Sequence, residues 1–341
     1  MDRKSLSLRD KLVEAGFSNE AIGAAWPTWW SEKSEQSPSS QAELRFSVAR
    51  KLGLSPTKLI GDRVDFVWKD QIKYKGLSTE DQSKLDVISA YSSSVGQLLA
   101  RATKQHQQVD KLQRVSAAEL RRMILSSHNY VDLRALLITC WSIGLPVAYL
   151  RVFPLDAQYM HATATKSHGH YAILLARNAS YPAPVAFTLA HEIGHIALRH
   201  LKGEASIVEL KDPLHGETGD AEEDAANAFA LELLTGSPEP RFEYNIPDFN
   251  SVELADAVMR GAAQYRIEPG TLALAVGFSS NRWIQAQASL KKIYSEQRPV
   301  WVEVNRMALA ELHWSSLPDD MGDFLSKTLN LDPDLHVLNG Q

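Results

Sequence analysis

Cysteine is nearly absent from this chain of 341 residues. Cys140 stands alone, so no intrachain disulfide can form, which suits a reducing compartment. It lies in the apolar run Leu136 to Trp141, where a free thiol packs as a small hydrophobe rather than serving as a nucleophile. The opening residues Met1-Asp2-Arg3-Lys4-Ser5-Leu6 have no apolar core of the kind a signal peptide needs. The longest apolar region, 133–153, is broken by Ser142, Gly144 and Pro146, which excludes a membrane span there. The expectation is a cytoplasmic protein with no membrane contact. Charge of one sign is in small excess only. The first 122 residues hold 20 Lys+Arg against 15 Asp+Glu, and the remainder holds 16 against 26. A mildly basic front and an acidic back fall short of a nucleic-acid footprint.

The most informative stretch is Phe187-Thr188-Leu189-Ala190-His191-Glu192-Ile193-Gly194-His195-Ile196-Ala197-Leu198. It reads as one helix carrying H-E-x-x-H. Residues four apart share a helix face, so His191 and His195 point the same way. Two imidazoles there can hold one Zn²⁺, and Glu192, one step round, is placed as a general base. The bland alternative is a solvated helix face with two histidines on it. Against it, Phe187, Ala190, Gly194, Ala197, Leu198 and Leu201 make an apolar stripe. Pro182 and Pro184 mark the start of the helix, and Gly203 is expected to mark its end.

A third ligand must come from elsewhere. The metzincin pattern would need a histidine where Leu201 stands. His200 is five residues beyond His195, a spacing that turns it off the ligand face of a continuing helix. Downstream, residues 220–234 form a strong helix pattern with acids at its start and Gly236 and Pro238 beyond it. Glu223 and Asn227 share one face there, an arrangement in which the first can ligate and the second can orient a ligating histidine. Glu222 is the rival, but its partner one turn on is Ala226, which cannot support a site. An acidic first turn favoured by the helix dipole accounts for Asp220 and Glu222. The alanines leave room for this helix to approach Gly194.

These two motifs, F-T-L-A-H-E-I-G-H-I-A-L and then E-x-x-A-N-x-F-A-x-x-L-L, resemble the ImmA/IrrE family of metallopeptidase domains over about Leu133 to Leu234. The resemblance implies that His191, His195 and Glu223 are metal ligands and Glu192 the catalytic base. It also implies a protein substrate, typically a helix-turn-helix repressor whose cleavage derepresses phage, mobile-element or stress genes. Where the family often continues L-L-M-P, this chain has Leu233-Leu234-Thr235-Gly236, a departure that touches only the helix end.

Most of the rest of the chain reads as helical. Residues 1–60 carry short helices with tight turns, and Trp29 to Ile60 is similar to the rear half of Xre/Cro-type domains. DNA is therefore a candidate partner of this region, although Trp29 and Trp30 stand where base-reading polar residues are expected. Residues 61–128 read as a linker or small hairpin (Gly61 to Gly76) followed by helix, with Gln105-His106-Gln107-Gln108 a solvated face. Residues 129–240 form the metallopeptidase module. It holds a helix at Leu133 to Ile143, strands at Pro146 to Val152, Met160 to Thr165 and His170 to Ala176, the two motif helices, and a loop over 202–219 containing His215. His168 and His170 flank the turn at Gly169 as surface histidines. An edge strand along the cleft could bind an extended substrate. Residues 241–341 are an accessory helical region without a chemical motif.

The fold class expected is α+β, mainly α: a zincin-like module with a small β-sheet packed on the H-E-x-x-H helix, flanked by helical N- and C-terminal regions. The function expected is zinc-dependent endopeptidase, with Mn²⁺ the alternative metal. Two other classes compete. One is a DNA-binding regulator or sensor that keeps a metal fold without turnover, for which Glu192 would be superfluous. The other is a hydrolase of small amides, which wants a closed pocket rather than a strand-lined groove.

Overall fold

Strand residues 170–175 show how the molecule is layered. Alternate side chains of a strand face opposite ways, and here both sets are buried: Tyr171, Ile173 and Leu175 on one side, Ala172 and Leu174 on the other. Such a strand belongs inside a sheet covered on both faces. The computed structural model of the chain describes residues 7–67, 72–75, 82–104, 107–156, 160–203, 205–209, 220–242 and 248–331. It is mainly helical, with one small mixed sheet.

The chain begins with five helices: α1 (Leu8–Glu14), α2 (Asn19–Ala25), α3 (Glu32–Glu35), α4 (Pro38–Leu52) and α5 (Pro56–Ile60). Strand β1 (Ile72–Lys75) precedes the long α6 (Gln82–Ala102), α7 (Val109–Leu112), α8 (Ala117–Leu125) and α9 (Leu133–Ser142). Then come β2 (Val147–Tyr149), β3 (Ala162–Ser167), β4 (His170–Leu175), α10 (Pro182–Ala197), β5 (Ala205–Glu209) and α11 (Ala221–Thr235). Five helices follow: α12 (Ser251–Tyr265), α13 (Pro269–Ser280), α14 (Trp283–Ile293), α15 (Val300–Glu311) and α16 (Asp319–Leu329).

The strand order is β1-β5-β3-β4-β2. β3 is antiparallel to β4 and β5, while β2 and β1 pair in parallel at the two edges. The sheet separates two cores. Ala148, Ala172, Leu174 and Val208 face α6, the N-terminal helices and α16. Val147, Ile173, Leu175 and Ile207 face α8 to α11. Gly96 lets α6 lie against Thr165 of β3, where a Cβ has no room. Serines hold this buried helix in place: Ser93 shares a hydrogen bond with Ser206 of β5 (3.0 Å), and Ser94 donates to the Arg50 carbonyl (2.7 Å).

Several expectations change. Within Gly61 to Gly76, expected as a linker or small hairpin, residues 72–75 form β1, whose partner β5 lies far along the chain. Part of the loop expected over 202–219 is β5 itself. Residues 204 and 210–219, with His215, lie outside the described residues, as do Gln105 and His106. The outer edge of β2 is closed to an added strand: Asn305 of α15 accepts from the Tyr149 N–H (2.6 Å) and donates to its carbonyl (2.9 Å). In the N-terminal region, Trp30 packs edge-on against both Trp26 and Trp29, and α4 turns Leu44, Val48 and Leu52 into the core. The C-terminal helices part company. α12 to α14 share a small core of their own around Leu254, Val258, Leu272 and Val276. α15 packs on β2, and α16 enters the N-terminal core. Among the described residues, no helix is long and apolar enough to cross a membrane.

Candidate metal centre

α10 starts where two prolines occupy its first turn, positions whose backbone N–H groups have no partner within a helix. Every residue from Val185 to Ala197 is buried. The helix is therefore enclosed on all sides, which is more than the one-sided stripe required. It also ends earlier than expected. Leu198 is its C-cap and is 42% exposed, and Arg199 takes a left-handed conformation (φ 61°). Arg199 thus stops the helix before Gly203 is reached.

The Nε2 atoms of His191 and His195 lie 3.0 Å apart. Glu223 of α11 closes the triangle, with one carboxylate oxygen 3.4 Å from His191 Nε2 and the other 3.4 Å from His195 Nε2. All three residues are buried. Ligand atoms at about 2.0–2.2 Å from a tetrahedral zinc are separated by about 3.3–3.6 Å, so the two Glu223 edges match a single small cation and the 3.0 Å edge between the imidazoles is a few tenths of an ångström short of it. Two imidazoles and a carboxylate are also the donors a borderline divalent ion prefers. Glu192, buried on the same helix, is the next residue round from His191.

The far side of each ring is tied down. His191 Nδ1 is 2.9 Å from Asn227 Oδ1. A carbonyl oxygen only accepts, so Nδ1 carries the proton and the Nε2 lone pair is left facing the cluster. His195 Nδ1 is 2.8 Å from His200 Nδ1. For His195 to present its Nε2 lone pair, its Nδ1–H donates and His200 accepts, leaving the proton of His200 on Nε2. The spacing argument missed His200 because it extended helical rotation past the end of the helix. The left-handed turn at Arg199 folds His200 back, and its N–H donates to the His195 carbonyl (2.9 Å).

α11 reaches this site because both helices are slim at the contact. A Cβ on Gly194 would lie 3.2 Å from the Ala226 carbonyl oxygen and 3.3 Å from Phe229 Cβ. Asp220 caps α11 by accepting from the Glu222 N–H (2.9 Å), and Gly236 ends it in a left-handed conformation. Glu222 lies half-buried in the first turn, outside the three-residue cluster. One further helix fastens the arrangement from behind. Arg121 of α8 donates to the Leu233 and Leu234 carbonyls of α11 (3.1 and 2.7 Å) and to the Arg266 carbonyl at the end of α12 (2.7 Å).

Other singled-out groups lie elsewhere. Cys140 is buried, and burial pushes its thiol up to about 12. His168 and His170 are exposed at the β3–β4 turn and are not among the clustered residues. On the Glu192 side, Thr188 precedes Glu192 by one turn and shares a hydrogen bond with His161 Nε2 (3.0 Å).

Residues 147–266 match the family model described as the IrrE N-terminal-like domain, a peptidase family. No curated protein and no solved structure matches the chain. The matched segment covers about a third of the chain and runs from β2 to the end of α12, so it contains all of the clustered residues.

Proposed function

We propose that this chain, which carries an IrrE N-terminal-like peptidase domain over residues 147–266, is a zinc-dependent endopeptidase acting on a protein substrate. The observation that supports the reading best is the convergence of His191, His195 and Glu223 beside Glu192, inside the matched segment. His191, His195 and Glu223 hold the ion, with Zn²⁺ the favoured metal and Mn²⁺ the alternative. The bound ion supplies Lewis-acid polarisation of a scissile carbonyl and a water of lowered pKa. Glu192 takes a proton from the attacking water and delivers it to the departing amine. Asn227 and His200 keep the two rings in the orientation and tautomer that ligation requires.

The resemblance to the ImmA/IrrE family points to a helix-turn-helix repressor as substrate, and to derepression of phage, mobile-element or stress genes as the outcome. The mildly basic N-terminal helices are the part of the chain to test for DNA. The direct experiment incubates the zinc-loaded protein with proteins encoded beside its gene, with and without chelator, and identifies fragments by mass spectrometry. Cleavage that chelator abolishes is the expected result. A Glu192→Gln variant should keep the metal and lose turnover, because the amide cannot accept the proton. Near wild-type cutting by that variant would remove Glu192 from the role of base.

A further inference from the structure

Successive residues of an α-helix are rotated by about 100°. Val185 and Thr188 therefore fall on the same side of α10 as Glu192 and His195, and Tyr181 precedes the helix as its N-cap. This N-terminal part of the helix forms one wall of a cavity of about 250 Å³. The lining also includes Leu274 of α13, Trp283 and Leu290 of α14, and Tyr149 of β2. The stretch from Pro184 to Thr188 lies about 6–12 Å from Glu192 along the helix axis. An extended peptide advances about 3.3 Å per residue. The separation between this cavity and Glu192 therefore equals about two to four residues of extended chain, although His191, Glu192, His195 and Glu223 are not among the residues lining the cavity.

The lining favours an apolar occupant. Four of the polar groups at its wall are paired: Thr188 with His161 (3.0 Å), and the Tyr149 hydroxyl with the Arg177 carbonyl. A guest need not supply a polar partner for them. Most of the remaining wall is aromatic and aliphatic, while Asn178, Ser180, Gln287 and the exposed Arg177 add polar groups. On the strength of the peptidase reading above, we infer that this cavity is a substrate pocket for a bulky apolar side chain, aromatic by preference. It sits two to four residues from the cleaved bond, and α13 and α14 set the preference. This gives the helices beyond the catalytic motifs a task in choosing the substrate.

The test profiles cleavage of a complex peptide mixture by the zinc-loaded full chain. Phe, Tyr, Trp, Leu and Met should be enriched at one position two to four residues from the cut. Gln287→Trp, at the exposed rim of α14, should narrow the pocket. It should lower kcat/KM on aromatic peptides relative to alanine-bearing ones by about tenfold or more, with metal content unchanged. Trp283→Ala should widen the pocket and flatten the preference. Cutting without any such enrichment, or a preference that both variants leave unchanged, overturns the pocket and leaves the peptidase reading standing. If the loaded protein cuts nothing, the peptidase reading fails, and the pocket is judged by binding. N-acetylphenylalanine amide should then perturb tryptophan emission saturably, with the response lost in Trp283→Phe. No saturable response overturns the pocket as well.

Discussion

Glu222 and Glu223 are neighbours in one helical turn, yet only the carboxylate of Glu223 meets the two histidines. Glu223→Ala should therefore cost metal affinity heavily, whereas Glu222→Ala should cost only a helix-dipole contribution of about 0.5 kcal/mol. Asn227→Ala should fall between them, losing roughly 10–100-fold in affinity or activity. The same range is expected for His200→Ala, since His200 sits behind His195 as Asn227 sits behind His191. Zinc titration against a competing chelator ranks all four variants. Loss of metal on Glu222→Ala with retention on Glu223→Ala would reverse the assignment. The Glu223–Asn227 pairing is legible in sequence because both residues lie within one regular helix, where spacing fixes direction. His200 is not, because a single left-handed residue, Arg199, changes the direction of the chain before it. Cys140 gives a further residue-scale prediction. Its raised pKa means that the folded state keeps the thiol proton when the unfolded state loses it. That contribution to stability is present below about 9 and is lost as pH rises towards about 12. A disulfide reagent at pH 8 should label Cys140 only after the protein is unfolded.

At the scale of elements, the site depends on how closely α11 lies against α10. Gly194→Ala places a methyl 3.2 Å from the Ala226 carbonyl oxygen and 3.3 Å from the Ala226 Cα, both backbone atoms that move only with the helix. The expected cost is about 1–3 kcal/mol of stability. The displaced Glu223 should also weaken metal binding, so calorimetric melting and zinc titration should change together. A loss of stability with unaltered affinity would show that α11 absorbs the methyl without moving Glu223. The small residues behind this contact are visible in the sequence. The clasp between α8 and the later helices is not. Arg121 caps α11 and α12, while Arg266, in a left-handed conformation at the end of α12, donates back to the Leu125 and His128 carbonyls (2.7 and 2.9 Å). Helical spacing puts Arg121 on the buried face with Ala117, Leu120 and Ile124 while Arg122 faces solvent, but it does not show which helix ends the guanidinium meets. Arg121→Lys should fail to restore the clasp, because an ammonium cannot span two helix ends as a planar guanidinium does. Arg121→Met should cost about 3 kcal/mol, the order expected for a few charge-assisted hydrogen bonds, as read by chemical denaturation.

At the scale of the whole molecule, the two cores share the sheet as a common wall, so elements from both ends of the chain meet in one of them. α16 lies in the accessory region that reads as helical in the sequence, and the structure has it buried on one face through Met321, Phe324, Leu325, Thr328 and Leu329. What covers its apolar face could not be read locally, because the partners, α2 and α6, lie at the other end of the chain. Phe324 is fully buried and meets Tyr91 of α6 edge-on, with ring centroids 6.0 Å apart. The Tyr91 hydroxyl in turn lies 3.2 Å from that of Thr328. Asn305 of α15 joins the same assembly by bridging β2 to the Leu329 carbonyl (2.7 Å). α16 thus belongs to the scaffold behind the sheet, while α15 closes the edge at β2 and contributes to both cores. Phe324→Ala should cost about 3–5 kcal/mol, the usual range for emptying a buried aromatic position. A chain ended after residue 298, which lacks α15 and α16 but keeps every clustered metal-site residue, should lose cooperative thermal unfolding. It should also bind zinc more weakly, although it lacks none of the candidate ligands. Far-UV circular dichroism on heating, run beside zinc titration, separates the possibilities. Wild-type melting and affinity in the shortened chain would mean that the sheet and the metal helices stand without α15 and α16, and that the shared wall does not couple the two cores.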